Sequence, residues 1–320
     1  DEIPNLIKRC NKTDLTILAT FKHYELDDDD RQKILKALIP QITSKKRNLA
    51  LIAFAHIYRK NKTNDQLLSK IKFDKKEFTD KIMFYGHFVD SSAYPGKIYD
   101  EIDDNIDLID EKTVKYALKI AITENSQRSI NLLMHFRELY PDVSFKYYLL
   151  AAQNRECYSY ITPEVFREFA YVMQYPKDAE VRSNAIKYLT KAMKSYLTPI
   201  HFLALFALSA LDPEVDNQKE AKLQLESAVK FRRYLMKNAK EFNSQITPET
   251  AIPYLVYILA HHKDFDADLK NSDLGSFSIY LKFFLTTICS TTTQFSYIIE
   301  LCTYYSFLDD VEEEYTDNNK

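Results

Sequence analysis

Imidazole and carboxylate groups crowd together at one place in this chain, where His261-His262 is followed by Asp264, Asp266 and Asp268. These are ligand types for zinc and calcium. The spacing suits neither. A calcium loop opening at Asp264 needs glycine at its sixth position and glutamate at its twelfth, where the chain has Leu269 and Gly275. Adjacent histidines on a helix point about 100° apart and do not clamp one ion as an i, i+4 pair does. The segment reads instead as the C-terminus of a helix. The other histidines, His23, His56, His87, His135 and His201, are scattered, and no nucleophile elbow, Walker loop or dinucleotide glycine motif accompanies them. The expectation is a protein without catalytic residues, bound metal or cofactor.

Basic side chains offer a second chemistry, the gripping of a polyanion or an acidic peptide. They gather at Lys45-Lys46-Arg47, at Lys60 and Lys62, at Lys70, Lys72, Lys75 and Lys76, and at Arg232-Arg233 with Lys237 and Lys240. A net charge of −3 and a pI near 6.2 argue against bulk attraction to nucleic acid, which needs phosphates neutralised by clustered cations. The simplest reading of each group is a solvated helix face. The 23 tyrosines and 20 phenylalanines, many at helical spacing, read as core, with some tyrosines left for interfaces.

Helices must position all of these groups. Three glycines and ten prolines in 320 residues provide poorly for tight hairpins or phosphate loops, while 46% hydrophobic residues allow a large core. The clearest helix is predicted over Asp178 to Tyr196, with Val181, Ala185, Ile186, Leu189, Ala192, Met193 and Tyr196 on one stripe and Lys187, Lys191 and Lys194 off it. A repeated start signal, a capping Thr or Asp before proline, occurs at Thr162-Pro163, Thr198-Pro199, Asp212-Pro213 and Thr247-Pro248. Further helices are expected over Pro163–Gln174, Pro199–Leu211, Pro213–Phe242, Pro248–His261, Leu274–Thr291 and Gln294–Phe307. Less regular patterns run from Pro4 to Val89 and from Val114 to Phe136. Short linkers make successive helices fold back on one another.

The four cysteines, Cys10, Cys157, Cys289 and Cys302, lack disulfide-scaffold density and read as core thiols of a reducing compartment. The longest apolar runs, Ile200 to Leu211 and Ala251 to Ala260, fall short of the roughly 20 residues of a membrane span. No signal peptide is evident, and a first residue of Asp1 suggests part of a longer chain.

Helix pairs recurring every few dozen residues point to an all-α, HEAT-type helical-repeat solenoid. Asp178 ahead of Val181-Arg182 fits, since the acid favours a helix N-terminus and the arginine can reach a neighbouring repeat's cap. The expected layout is one continuous array over 1–308, irregular over 1–140, with an acidic loop or insert at 90–112 and an acidic tail at 309–320.

The stretch Pro253-Tyr-Leu-Val-Tyr-Ile-Leu-Ala-His-His-Lys-Asp-Phe265 closely resembles a segment of the cohesin cofactors called precocious dissociation of sisters protein five. Cys157-Tyr-Ser-Tyr-Ile-Thr-Pro-Glu-Val-Phe166, Val181-Arg182, Phe202 to Leu208 with Asp212-Pro213, and Phe231-Arg-Arg-Tyr234 are similar to family motifs in the same order. The likeness covers about residues 145 to 308, with a shorter interval than usual between Phe136 and Tyr147. It implies a non-catalytic, nuclear, chromosome-associated scaffold that controls sister-chromatid cohesion. The implied partners are the cohesin kleisin subunit, the wings-apart-like release factor and the cohesin acetyltransferase, with inositol hexakisphosphate as a ligand of some family members and chromatin contacted indirectly. Arg232 and Arg233, paired within a matched motif, and Lys237 are the candidate binding residues. A HEAT-repeat adaptor of transport type and a nucleic-acid-binding helical array are the alternatives.

Overall fold

A computed structural model describes residues 11–20, 25–42, 47–59, 62–73, 77–88, 97–238, 247–265 and 274–305, and among them every regular element is helical. The chain divides into two compact units, Asp1–Glu124 and Asn125–Lys320.

The first unit contains α1 (Lys12–Ala19), α2 (Asp28–Ile42), α3 (Arg47–Ile57), α4 (Lys62–Leu68), α5 (Phe78–Gly86), α6 (Lys97–Asp104) and α7 (Val114–Ala121). Alternate helices stack, α1 on α3, α3 on α5 and α5 on α7, while α2 also packs on α3. Each element thus buries its apolar stripe against near neighbours, the contact habit of helical repeats. Leu15, Leu18, Leu35, Leu38, Phe54, Ile82, Phe84 and Leu118 form the interior. Helix α1 starts with a reciprocal cap, in which Asn11 Oδ1 accepts from the Asp14 backbone N–H at 2.9 Å and the Asp14 carboxylate accepts from that of Asn11 at 3.2 Å.

Part of the expected acidic loop is α6, and the reading of 90–112 as an exposed insert is corrected to that extent. Ile98, Tyr99 and Ile102 are buried along one side of this helix, while Asp100, Asp103 and Asp104 face solvent. Three apolar residues among so many acids gave too short a stripe to register as periodic. Residues 90–96 lie outside the described residues.

Gly86 ends α5 where Tyr116 of α7 crosses it, and a β-carbon at this glycine would lie 2.6 Å from Tyr116 Cβ. Only hydrogen fits there.

The second unit contains α8 (Gln127–Arg137), α9 (Pro141–Ala151), α10 (Arg155–Tyr158), α11 (Pro163–Ala170), α12 (Ala179–Met193), α13 (Val215–Asn238), α14 (Ile252–Ala260), α15 (Leu274–Ile288) and α16 (Thr292–Tyr305). Helix α12 begins at an Asp178 cap whose carboxylate accepts from the Glu180 N–H at 2.7 Å. Ala185, Ile186, Leu189, Ala192 and Met193 are buried as the stripe predicts. Tyr196 is 73% exposed, because the helix stops at Met193 and the stripe ends with it.

The apolar run Ile200–Leu211 is a 3-10 helix, and Ile200 through Ala210 are all buried. At about three residues per turn, His201, Ala204, Ala207 and Ala210 form one thin row. That row admits close neighbours, and α12, α13, α14, α15 and the 3-10 turns Tyr171–Gln174 and Pro248–Ala251 all pack on this rod.

The repeated Thr/Asp-Pro starts do different jobs. Thr162 caps α11 by accepting from the Val165 N–H at 3.3 Å. Thr198 is buried and its hydroxyl donates to the Ala192 carbonyl at 2.6 Å, which closes the end of α12 instead of opening the rod. Asp212 accepts from the Glu214 N–H at 2.8 Å and also meets Arg182, whose Nε donates to Oδ2 at 2.8 Å and whose second amino nitrogen donates to Oδ1 at 3.2 Å. The third guanidinium nitrogen donates to the Tyr175 carbonyl at 2.8 Å. Arg182 thus reaches the cap of the next repeat, as its spacing from Asp178 predicts.

His201 lies against the Tyr254 ring at 4.2 Å between centroids and beside Phe166 and Phe202, and burial pushes its pKa down to about 3.

Two outcomes test this packing. Gly86→Ala should lower unfolding free energy by about 1–3 kcal/mol, the usual penalty for overpacking, in denaturant titrations; an unchanged midpoint would mean that α5 and α7 do not meet at this glycine. The His201 pKa is depressed relative to about 6.5 in the unfolded chain, so its neutral form supports folding above that value and is penalised as pH falls toward 3. Between pH 7 and 5 the protein should lose ~2 kcal/mol more stability than its His201→Phe variant. Parallel pH profiles would remove His201 as the source.

Candidate interaction surface

The two histidines of the His/Asp cluster serve the interior. His262 Nδ1 accepts from the Asp264 backbone N–H at 3.2 Å, so its Nε2 carries the proton and donates to Gln174 Oε1 at 2.9 Å. The Gln174 amide in turn donates to the Tyr280 hydroxyl at 2.7 Å. Asp264 Oδ2 also lies 3.6 Å from Nδ1, but that contact is an ion pair only for a charged imidazole. Burial lowers the His262 pKa and favours the neutral ring, so the amide contact describes the site. His261 Nδ1 donates to the Tyr257 carbonyl at 3.0 Å, while its own carbonyl accepts from the Tyr171 hydroxyl at 2.6 Å. These bonds tie the end of α14 to the turn Tyr171–Gln174 and to α15. Among the described residues no three His, Cys, Asp or Glu groups converge as a metal site, and Asp266 and Asp268 lie outside those residues.

The three candidate binding residues separate. Arg232 is 2% exposed, and one of its amino nitrogens donates to the Ser195 carbonyl at 3.0 Å and the Thr198 carbonyl at 2.6 Å. Burial depresses its pKa, and its role here is to tie α13 to the turn that follows α12. Arg233 donates to Glu249 Oε1 at 2.8 Å and to the Ile288 carbonyl, bridging α13 to the turn before α14 and to the end of α15. Lys237 alone is exposed. A pair of adjacent arginines reads as a surface feature in sequence, but residues 100° apart on a helix can both face neighbours when neighbours flank it on two sides. Helix α13 has that setting, with α12 and the rod on one hand and α15 on the other.

Other basic groups are dispersed. Arg47 pairs with Glu77 at 2.9 Å and lies 5.3 Å from the Phe73 ring centroid, an internal tie of the first unit. Lys70 and Lys72 are exposed, whereas Lys45, Lys46, Lys60, Lys75, Lys76 and Lys240 lie outside the described residues. Cys157 is buried as expected of a core thiol, Cys289 is half-buried and Cys302 is exposed.

What faces outward is a helical surface with lysines and large apolar groups on it. Lys187 and Lys191 on α12 and Lys194 just past its end are exposed, while Leu223 at 58% and Tyr234 at 64% are exposed on α13. Sequence reasoning placed the lysines off the buried stripe but did not pair them with Leu223 and Tyr234. The signal was there, since both are large apolar residues on the face of α13 opposite its inward stripe of Ala221, Leu225, Ala228, Val229 and Arg232. Among the described residues no helix is long and apolar enough to cross a membrane.

Residues 146–318, more than half of the 320, match the family model of the sister chromatid cohesion protein PDS5. Over 121 residues the chain is 35% identical to sister chromatid cohesion protein PDS5 homolog A of Gallus gallus and 33% identical to that of Homo sapiens, covering 37% of this chain and 9% of each relative. It is 27% identical over 112 residues to the pds5 protein of Schizosaccharomyces pombe, covering 35% of this chain and 8% of that relative. The aligned stretch is therefore under a tenth of each of these relatives. The motif residues within 146–318 build the frame just described: Cys157 and Phe166 in the core, Arg182 on Asp212, and His262 on Gln174. The chain therefore belongs to the sister chromatid cohesion protein PDS5 family.

Proposed function

We propose that the chain is a non-catalytic part of a cohesin-regulating scaffold that controls sister-chromatid cohesion. It binds the cohesin kleisin subunit, and other surfaces of the scaffold receive the wings-apart-like release factor and the cohesin acetyltransferase. It works in the nucleus on chromosomes, contacting chromatin through these partners.

The observation that supports this reading is that several of the family-matched residues point inward. Cys157, Phe166, Arg182 and Arg232 are all buried, so the frame is what these residues maintain. A frame held from inside leaves its outer helix faces to vary with the partner, which suits a protein that works by binding rather than by turnover.

The test is retention of this chain on an immobilised kleisin fragment, with thermal melts run beside it. Wild-type protein should be retained, and Lys237→Glu should leave the melting temperature unchanged. Arg232→Glu should lower that temperature by roughly 6–20 °C, from about 3–5 kcal/mol of lost stability at about 2–4 °C per kcal/mol. Failure of folded wild-type chain to be retained would contradict the kleisin assignment.

A further inference from the structure

The groove between α12 and α13 combines three properties: an apolar floor, an aromatic wall and a border of cations. Met193 and Ala228, both buried, make the floor. Thr190, Gln224 and Phe231, all half-buried, make the walls, with Lys194 and Ser227 at the lip. The space is about 180 Å3. That is below the roughly 300–1,000 Å3 of cofactor sites, so it suits one large side chain rather than a cofactor.

Charge is distributed to match. Lys187, Lys191 and Lys194 stand at i, i+4 and i+7 and so share one face of the α12 segment beside Thr190 and Met193. Lys230 is exposed on α13, one position before Phe231. None of these four lysines is in an ion pair among the described residues. Glu220, one turn before Gln224 on α13, accepts from the Gln224 amide at 2.9 Å. The helix dipole accounts for cations in the last turn of α12, but not for Lys187 two turns earlier or for Lys230 on another helix.

We propose that this groove docks an acidic protein segment that carries one aliphatic or aromatic anchor residue. The anchor enters between Phe231 and Thr190 and contacts Met193 and Ala228. Carboxylates on either side of it meet the lysines, which span about 10 Å along the helix, the reach of three extended residues. Leu223 and Tyr234, exposed on the α13 rim, extend the apolar contact beyond the anchor. A nucleic-acid backbone would use the lysines but leave the floor, Phe231 and this rim without a partner, so a peptide is the better fit. The inference rests on reading the chain as a binding scaffold, and it adds a surface and a partner chemistry to that reading.

The experiment is fluorescence anisotropy of the whole chain with a labelled nine-residue peptide of Glu and Asp around a central Phe. Three comparisons accompany it: the peptide with Ser for Phe, the peptide with Gln and Asn for its acids, and a 20-base-pair DNA duplex. The acidic Phe peptide should bind, and each altered peptide should bind at least five-fold more weakly. The Lys187→Glu/Lys191→Glu variant, altered only at exposed positions, should bind it at least ten-fold more weakly with an unchanged melting temperature. Ser227→Arg, which fills the lip without removing charge, should also weaken binding. The proposal is overturned if the wild-type chain ignores the peptide at millimolar concentration, if the lysine variant binds it equally well, or if duplex DNA binds through these lysines and the peptide does not compete. Retention on the kleisin fragment, measured on the same preparation, separates the two readings: kleisin binding kept with peptide binding absent sinks the groove alone.

Discussion

The pairing of Arg182 with Asp212 is the constraint on which the second unit depends. Two charges taken out of water are unfavourable unless their lone pairs and protons are satisfied on site. Here they are met from several directions: the guanidinium reaches both carboxylate oxygens and the Tyr175 carbonyl, while the carboxylate also accepts from the Glu214 N–H and the Asn217 amide. The pair thereby fastens three places at once, the turn before α12, the end of the 3-10 rod and the start of α13. A hydrophobic pair of similar volume could equal it in stability, but could not specify that one arginine meets one particular helix start. Its contribution is register between consecutive repeats.

Once register is set, the rod carries the packing. A row of alanines behind His201 lets neighbouring helices come close to Ile200–Leu211, and several elements share that one core. The hydrogen bonds of His262, Gln174 and Tyr280 fasten the far side of the same core, and Arg232 and Arg233 fasten α13 to the turns beside it. Polar side chains in this unit therefore act mainly as ties between elements whose apolar faces already meet. The consequence for function is that partner recognition falls to the residues those ties leave outside, such as the lysines of α12 and the rim of α13.

Much of this was legible in the sequence, and the exceptions have physical causes. The buried stripe of α12 and the Asp178 cap were readable because period and start signal agree over fifteen residues. The reach of Arg182 was readable from its offset to Asp178. Helix α6 was hidden because its few apolar residues sit among acids, and local charge outweighed the pattern. The 3-10 geometry of the rod could not be read, since a run that is apolar on every side carries no periodicity to tell one helix type from another. Arg232 and Arg233 looked like surface residues because nothing local reports that three carbonyl groups and a glutamate await them across the fold. Thr198-Pro199 had the form of a helix start, yet its hydroxyl turned back to close the preceding helix.

The measurement that tests the account most directly is a double-mutant cycle on the pair that sets register, with Arg182→Ala, Asp212→Ala and the combination followed by chemical denaturation. Each single change should lower stability by about 3–5 kcal/mol, because it strands a buried charge, and the double variant should lose clearly less than the sum, with a coupling energy of roughly 2–3 kcal/mol. Additive losses, with coupling below about 0.5 kcal/mol, would show that the two residues act independently and that register between these repeats comes from elsewhere.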